Sequence, residues 1–248
     1  MELLRKLIEL RGASGDEQGV RDFVIQYVKE NASTWKVQPE LIYGDDFQDC
    51  LILVFGVPRT AIYAHLDTIG FTSGYEKELI KIGGPRTIEG MQLVGADSQG
   101  EVETELMVIE DPDGNKELKY VLDRELDRGT ILTFKPNFRE TDEYIQSPYL
   151  DNRLGVWSAL KVAETMENGA IVFSTYEEHG GNTVAFCANY LYQRFKLRQA
   201  LISDITWVTS GVKHGGGVAI SMRDSGVPRR SYLNRIISLA KKSGVKFQ

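Results

Sequence analysis

The sequence predicts an α/β protein: a mixed or parallel sheet flanked by helices, with a small all-β domain inserted into it. Three observations point there. First, short apolar runs end in acidic or histidine side chains. Thr60-Ala61-Ile62-Tyr63-Ala64 leads into His65-Leu66-Asp67, Ile171-Val172-Phe173-Ser174-Thr175 into Tyr176-Glu177-Glu178, and Ala200-Leu201-Ile202-Ser203 into Asp204. Second, strands alternate with helical patterns after Asp151. Third, from about 71 to 145 strand-like pieces are spaced by turns, with no helical period. The carboxyl ends of strands in an open α/β sheet share one edge, where such folds place their sites. A histidine and several carboxylates on one edge are the inventory of a metal site.

Taken in order, Leu3, Leu4, Leu7 and Ile8 form a short helical stripe. Ser14-Gly15-Asp16-Glu17 reads as a capping box, the serine hydroxyl meeting a free N–H of the first turn and the glutamate reaching back. The helix it opens carries Val20, Phe23, Val24, Tyr27 and Val28 on one face. The apolar runs 51–55 and 60–64 flank Gly56-Val57-Pro58-Arg59 and read as a hairpin. Strand-like pieces follow at 79–82, 91–94, 106–109, 118–122 and 130–134, with a strong turn at Asp111-Pro112-Asp113-Gly114-Asn115. Beyond Asp151 the pattern gives a helix over about 153–167 ended by Asn168-Gly169, then a buried strand at 171–175. His179-Gly180-Gly181-Asn182 lets the chain turn into a helix over about 181–195. Strands at 199–203 and around 218–222, a helix over about 229–242, and the start of a strand at Lys246-Phe247-Gln248 complete the reading. The expected organisation is an α/β catalytic domain from 1–70 and 146–248, interrupted by a β domain at 71–145.

The bulk properties narrow the function. A chain of 248 residues, 42% hydrophobic, is long enough for a substantial core. The net charge of −6 argues against a nucleic-acid binder. Two widely spaced cysteines, Cys50 and Cys187, form no zinc-finger or redox motif and fit a reducing compartment. The start, Met1-Glu2-Leu3-Leu4-Arg5-Lys6, mixes charges with apolar residues and has no signal-peptide core, and no stretch is long enough to span a membrane. A soluble cytoplasmic protein is expected. No Ser or Cys nucleophile frame is present, and Lys213-His214-Gly215-Gly216-Gly217 lacks the pattern of a phosphate loop.

The chemistry concentrates in few places. In His65-Leu66-Asp67, residues i and i+2 of an extended chain point to one side, so Asp67 can hold the second imidazole nitrogen of His65. Glu177 and Glu178 diverge, so one can ligate a metal while the other faces a water as general base. Asp151 stands before a helix, where its ordinary role is an N-cap, shared with Asn152. Arg153 is either a surface charge or a support for a ligating carboxylate. Asp204 reads as a turn residue or a metal ligand. A loop or supporting role is expected of His179, and His214 has no flanking ligand spacing.

The order Ala64-His65-Leu66-Asp67-Thr68-Ile69-Gly70-Phe71, Leu150-Asp151-Asn152-Arg153-Leu154-Gly155, Glu177-Glu178-His179-Gly180 and Ser203-Asp204-Ile205-Thr206 resembles the tetrahedral-aminopeptidase family of dinuclear metallopeptidases. These are the glutamyl and lysyl aminopeptidase, or cellulase M, relatives. Gly12-Ala13-Ser14-Gly15 and Gly217-Val218-Ala219-Ile220 also fit. The resemblance implies a metal-dependent aminopeptidase that removes the N-terminal residue from peptides. It implies two divalent ions, zinc or cobalt. Asp151 would bridge them, His65 and Asp204 would complete one site with Asp67 behind His65, Glu178 would ligate the other ion, and Glu177 would be the general base. It further implies a homo-oligomer formed through the 71–145 domain. The family's fifth ligand is a histidine near its C-terminus, and the chain given ends before that motif, so the second ion is expected to have only Asp151 and Glu178 here. The rival expectations are a related deacylase or carboxypeptidase, or a non-catalytic binding or assembly protein.

Overall fold

The computed structural model describes residues 1–181, 183–224 and 226–248, which form two units, Met1–Asp204 and Ile205–Gln248. The first unit opens with α1 (Glu2–Glu9), which buries Leu4, Leu7 and Ile8, and α2 (Gln18–Asn31), which buries Val20, Val24 and Val28. Three strands follow: β1 (Glu40–Ile42), β2 (Leu51–Phe55) and β3 (Ala61–His65). The next six are β4 (Gly70–Ser73), β5 (Leu79–Ile82), β6 (Gln92–Asp97), β7 (Gly100–Glu110), β8 (Lys116–Val121) and β9 (Ile131–Phe134). Two short strands, β10 (Arg139–Glu140) and β11 (Ile145–Gln146), pair with each other. The unit closes with α3 (Leu150–Ala163), β12 (Gly169–Ser174), α4 (Thr183–Phe195) and β13 (Ala200–Ile202).

One sheet has the order β1-β2-β12-β3-β13. Strands β12, β3 and β13 run parallel, so their carboxyl ends share an edge; Ser174 pairs with His65, and Ile202 with Tyr63. Alternate residues of β12 serve opposite cores. Ile171 and Phe173 pack with Val24, Val156 and Leu160 on the α2 and α3 side, while Ala170 and Val172 pack with Cys187 and Leu191 of α4. Full burial of such aliphatic and aromatic side chains stabilises by about 1.5–3 kcal/mol each, which fixes the sheet between two helical layers.

The expected hairpin of 51–55 with 60–64 does not form. β12 lies between β2 and β3, antiparallel to one and parallel to the other. Both runs are apolar at nearly every position, as suits strands covered on both faces, and such strands take a ladder partner on each side. The helix expected to reach 167 ends at Ala163, and Gly169 already belongs to β12, while Asn168 Oδ1 accepts the Val57 N–H at 2.9 Å. Asn182, the last residue of the expected turn, lies outside the described residues.

The second sheet, β5-β4-β9-β6-β7-β8, is antiparallel throughout. Its outer strands approach each other through a Glu78–Lys119 bridge and a Tyr120 N–H to Lys77 carbonyl bond of 3.1 Å, so it is nearly closed. Phe71, Leu93, Leu106, Tyr120, Leu132 and Phe134 fill its interior. Among the described residues of the second unit α5 (Arg230–Ser243) is the one regular element; Val218 bridges Phe247 in parallel, so the expected strand around 218–222 contracts to that bridge. Among the described residues no helix is long and apolar enough to cross a membrane.

Candidate metal centre

His65 ends β3 and is almost fully buried. Its Nε2 lies 3.1 Å from Asp151 Oδ1 and 3.9 Å from Asp204 Oδ1. Its Nδ1 lies 3.1 Å from the Asp67 carbonyl oxygen and 3.4 Å from Asp67 Oδ1. The i, i+2 relation therefore places Asp67 behind the ring, fixing its orientation. Asp67 is fully buried, and its Oδ2 accepts the Ser14 hydroxyl at 2.6 Å. Burial works against the charge of His65, but hydrogen bonds to Asp151 and Asp67 outweigh it and raise the imidazole to about 10. Burial likewise pushes against ionised Asp67, yet the bonds from His65 and Ser14 hold its carboxyl below the ordinary value.

Asp151 sits where α3 is kinked: Asp151 and Asn152 have non-helical backbone angles and the bond between them is cis. Asn152 takes the cap. Its Oδ1 accepts the Gly155 N–H at 3.0 Å, three residues on, while its amide donates to the Ser203 carbonyl at 2.9 Å. Gly155 leaves no room for a Cβ, which would collide with Asn152 Oδ1 and the Ser203 oxygen. The division of labour is chemical. An uncharged amide can both cap and donate, which ties α3 to the approach of Asp204 and turns the Asp151 carboxylate, half exposed, toward His65.

Glu177 and Glu178 follow β12 on a turn whose first residue, Tyr176, has φ +60°. Asp67 accepts their backbone N–H groups at 3.1 and 2.9 Å. Burial first, and the neighbouring acids against the opposing charge of His65, raise both carboxyls, Glu178 to about 7 with Asp151 the largest charged cause. The expected capping box is absent. The Ser14 hydroxyl goes to Asp67, and Glu17, fully buried, accepts the N–H of Gly15 at 2.9 Å and of Tyr176 at 3.0 Å. A charge-assisted bond to a buried carboxylate is roughly twice as strong as a neutral cap bond, so Asp67 wins the hydroxyl. Burial pushes Glu17 up to about 7.

Arg153 is fully buried, not a surface charge; it donates to the Leu66 carbonyl and, at 3.2 Å, to that of Leu10. Burial lowers its guanidinium to about 10, and the charges of Asp67 and Glu17 support it. One signal foretold this: Arg153 shares a helical face with Val156, Leu160 and Ala163, all buried. His179 is exposed, and its Nδ1 accepts the Gly83 N–H at 3.4 Å. His214 belongs to the second unit and is exposed.

Ligand atoms of His65, Asp151 and Asp204 lie within 4.8 Å of one another, and Glu178 is outside that group. Ligands at 2.0–2.2 Å from a tetrahedral ion stand roughly 3.4 Å apart, and the His65 separations of 3.1 and 3.9 Å bracket that value. One imidazole and two carboxylates, with a carboxylate behind the imidazole, suit zinc or a similar divalent ion.

A sequence model of the M42 glutamyl aminopeptidase family matches residues 95–248, more than half of the chain. The chain belongs to the M42 family. It is thus a peptidase by family, and M42 peptidases are metal-dependent. Solved structures agree on the fold. The TET aminopeptidase of a marine-sediment Thaumarchaeota archaeon is 18% identical, with TM-score 0.82, over 100% of this M42 chain and 80% of that one. The TET1 peptidase of Pyrococcus horikoshii, described as assembling into a tetrahedron or a large octahedral shell, is 21% identical, with TM-score 0.76, over 100% and 82%. An aminopeptidase of Desulfurococcus kamchatkensis is 21% identical, with TM-score 0.76, over 100% and 78%. Among curated proteins none matches this M42 chain.

Proposed function

We propose that this M42 peptidase is a metal-dependent aminopeptidase that hydrolyses the N-terminal residue from peptides, with His65, Asp151 and Asp204 holding one divalent ion. The observation that supports it most is His65 Nε2 facing two carboxylates while Asp67 backs the other nitrogen, at the shared edge of three parallel strands. Asp151 and Glu178 are the groups this chain offers a second ion. Bound zinc or cobalt supplies Lewis-acid polarisation of a carbonyl and lowers the pKa of a water.

The protein's residues do the rest. Asp67 keeps His65 from rotating and leaves Nε2 as the donor atom. Glu177 accepts the proton of the attacking water and returns it to the leaving amine; burial raises its carboxyl above the ordinary value, with His65 opposing and Asp204 and Asp67 adding to the rise. The acidic edge attracts the free α-amine of a peptide, which favours cleavage at the first residue. The residues 1–70 and 146–248 form the catalytic part in this reading, and the sheet within 71–145 joins copies of the chain.

The test is release of amines from aminoacyl p-nitroanilides, against N-acyl amino acids as the competing class, with zinc or cobalt added. Glu177→Gln is expected to keep metal binding in calorimetry and to lose about 10²–10⁴-fold in kcat. Unchanged turnover in that variant removes Glu177 from the base role, and hydrolysis confined to N-acyl amino acids removes the aminopeptidase reading.

A further inference from the structure

Three consecutive backbone N–H groups, of Tyr176, Glu177 and Glu178, are each bound by a buried carboxylate. Glu17 Oε1 accepts from Tyr176 at 3.0 Å, and Asp67 accepts from the other two at 3.1 and 2.9 Å. Asp67 already belongs to the centre through His65. Glu17 comes from the far end of the sequence, immediately before α2, yet its side chain makes no cap bond to that helix. Both of its oxygens bind backbone amides instead, those of Gly15 and Tyr176. An ionised carboxylate is costly to bury without such bonds, and Glu17 is fully buried.

The segment that Glu17 grips is one that needs a grip. Tyr176 has φ +60°, a left-handed conformation that a non-glycine residue keeps only where its surroundings impose it. The two residues after it are Glu177 and Glu178, so the turn at Tyr176 sets where both carboxylates aim. The loop that carries Glu17 is anchored to the site on its other side. Ala13 bridges Thr68, Ser14 binds Asp67, and Arg153 holds the carbonyls of Leu10 and Leu66 while its charge faces Asp67 and Glu17.

We propose that Glu17 is a positioning residue for the peptidase reaction: its buried carboxylate, acting through the Tyr176 amide, fixes the aim of Glu177 and Glu178. This rests on the reading in which Glu177 is the base and Glu178 a ligand. Amide hydrogen exchange of the metal-free protein, zinc calorimetry and steady-state kinetics, on wild type, Glu17→Gln and Glu17→Asp, test it.

In Glu17→Gln the amides of residues 176–178 should exchange about tenfold faster or more, the loss of a bond to a charged acceptor. Amides of β2 and β12 should keep their rates. With zinc, kcat should fall about 10–100-fold while KM moves by less than about twofold. Glu17→Asp keeps the charge and should recover part of both the protection and kcat. Unchanged exchange at 176–178, or acceleration spread evenly over β2 and β12, overturns the proposal and leaves Glu17 a role in folding alone. Should Glu17→Gln fail to fold, the same two readouts on Glu17→Asp decide: local acceleration with a kcat loss supports it, uniform or absent change overturns it. Exchange requires neither metal nor turnover. A wild type that binds no zinc and cleaves nothing sinks the function reading, while the exchange result still decides whether Glu17 holds the loop.

Discussion

A histidine wedged between Asp67 and Asp151 keeps its proton far above neutrality, and this ties the stability of the metal-free protein to pH. His65 rises from an ordinary value of 6.5 to about 10. Its contribution is therefore fully present below about 6.5 and is lost as pH rises through about 10. In urea unfolding of metal-free protein, the stability gap between wild type and His65→Gln should be wide at about pH 6 and shrink by about pH 10; a gap that stays constant contradicts the charged pairing. The pairing of His65 with Asp67 was legible because two-residue spacing sets direction in an extended chain. The partners Ser14 and Glu17 were not. Ser-x-x-Glu describes a capping box equally well, and nothing local reveals a buried carboxylate more than fifty positions away. For Asp151 and Asn152 the cap was legible, but which of the two makes it depends on the Ser203 carbonyl that only Asn152 can meet.

At the scale of elements, strand positions were read well and strand neighbours less so. The runs at β2 and β3 were recognised, but their closeness in sequence suggested a hairpin, whereas β12 inserts between them. Local pattern shows that a strand is covered on both faces; it does not name the strand that fills the gap. The inserted sheet was legible as a run of strands and turns, since alternation and Asp-Pro-Asp-Gly chemistry are local. Its near closure through Glu78 and Lys119 was not. On this sheet Ile80, Ile109 and Val121 remain exposed, the kind of apolar surface that association covers. The proposed assembly of copies through the sheet predicts a native mass in light scattering that is a multiple of 27.9 kDa, lowered by Ile80→Glu with Ile109→Glu. A wild-type mass of one chain, or one unmoved by the double variant, argues against that route.

At the scale of the whole molecule, the centre exists only because distant segments converge. His65, Asp151 and Asp204 come from the end of one strand, a helix kink and the exit of another strand, and parallel pairing of β12, β3 and β13 gives them one edge. The grouping of His65, Asp151 and Asp204 was legible at this scale because each stands at a strand end or a helix start, positions that sequence shows, and topology then brings them to one edge. The supporting bonds from Ser14, Glu17 and Asn152 were not, since they depend on side chains meeting across the fold. The central claim is that this edge binds a divalent ion, and an anomalous difference map from crystals grown with zinc tests it most directly. The account predicts a zinc peak about 2.0–2.2 Å from His65 Nε2 and from carboxylate oxygens of Asp151 and Asp204. A peak elsewhere, at His214 or between Cys50 and Cys187 for example, with none beside His65, would contradict it.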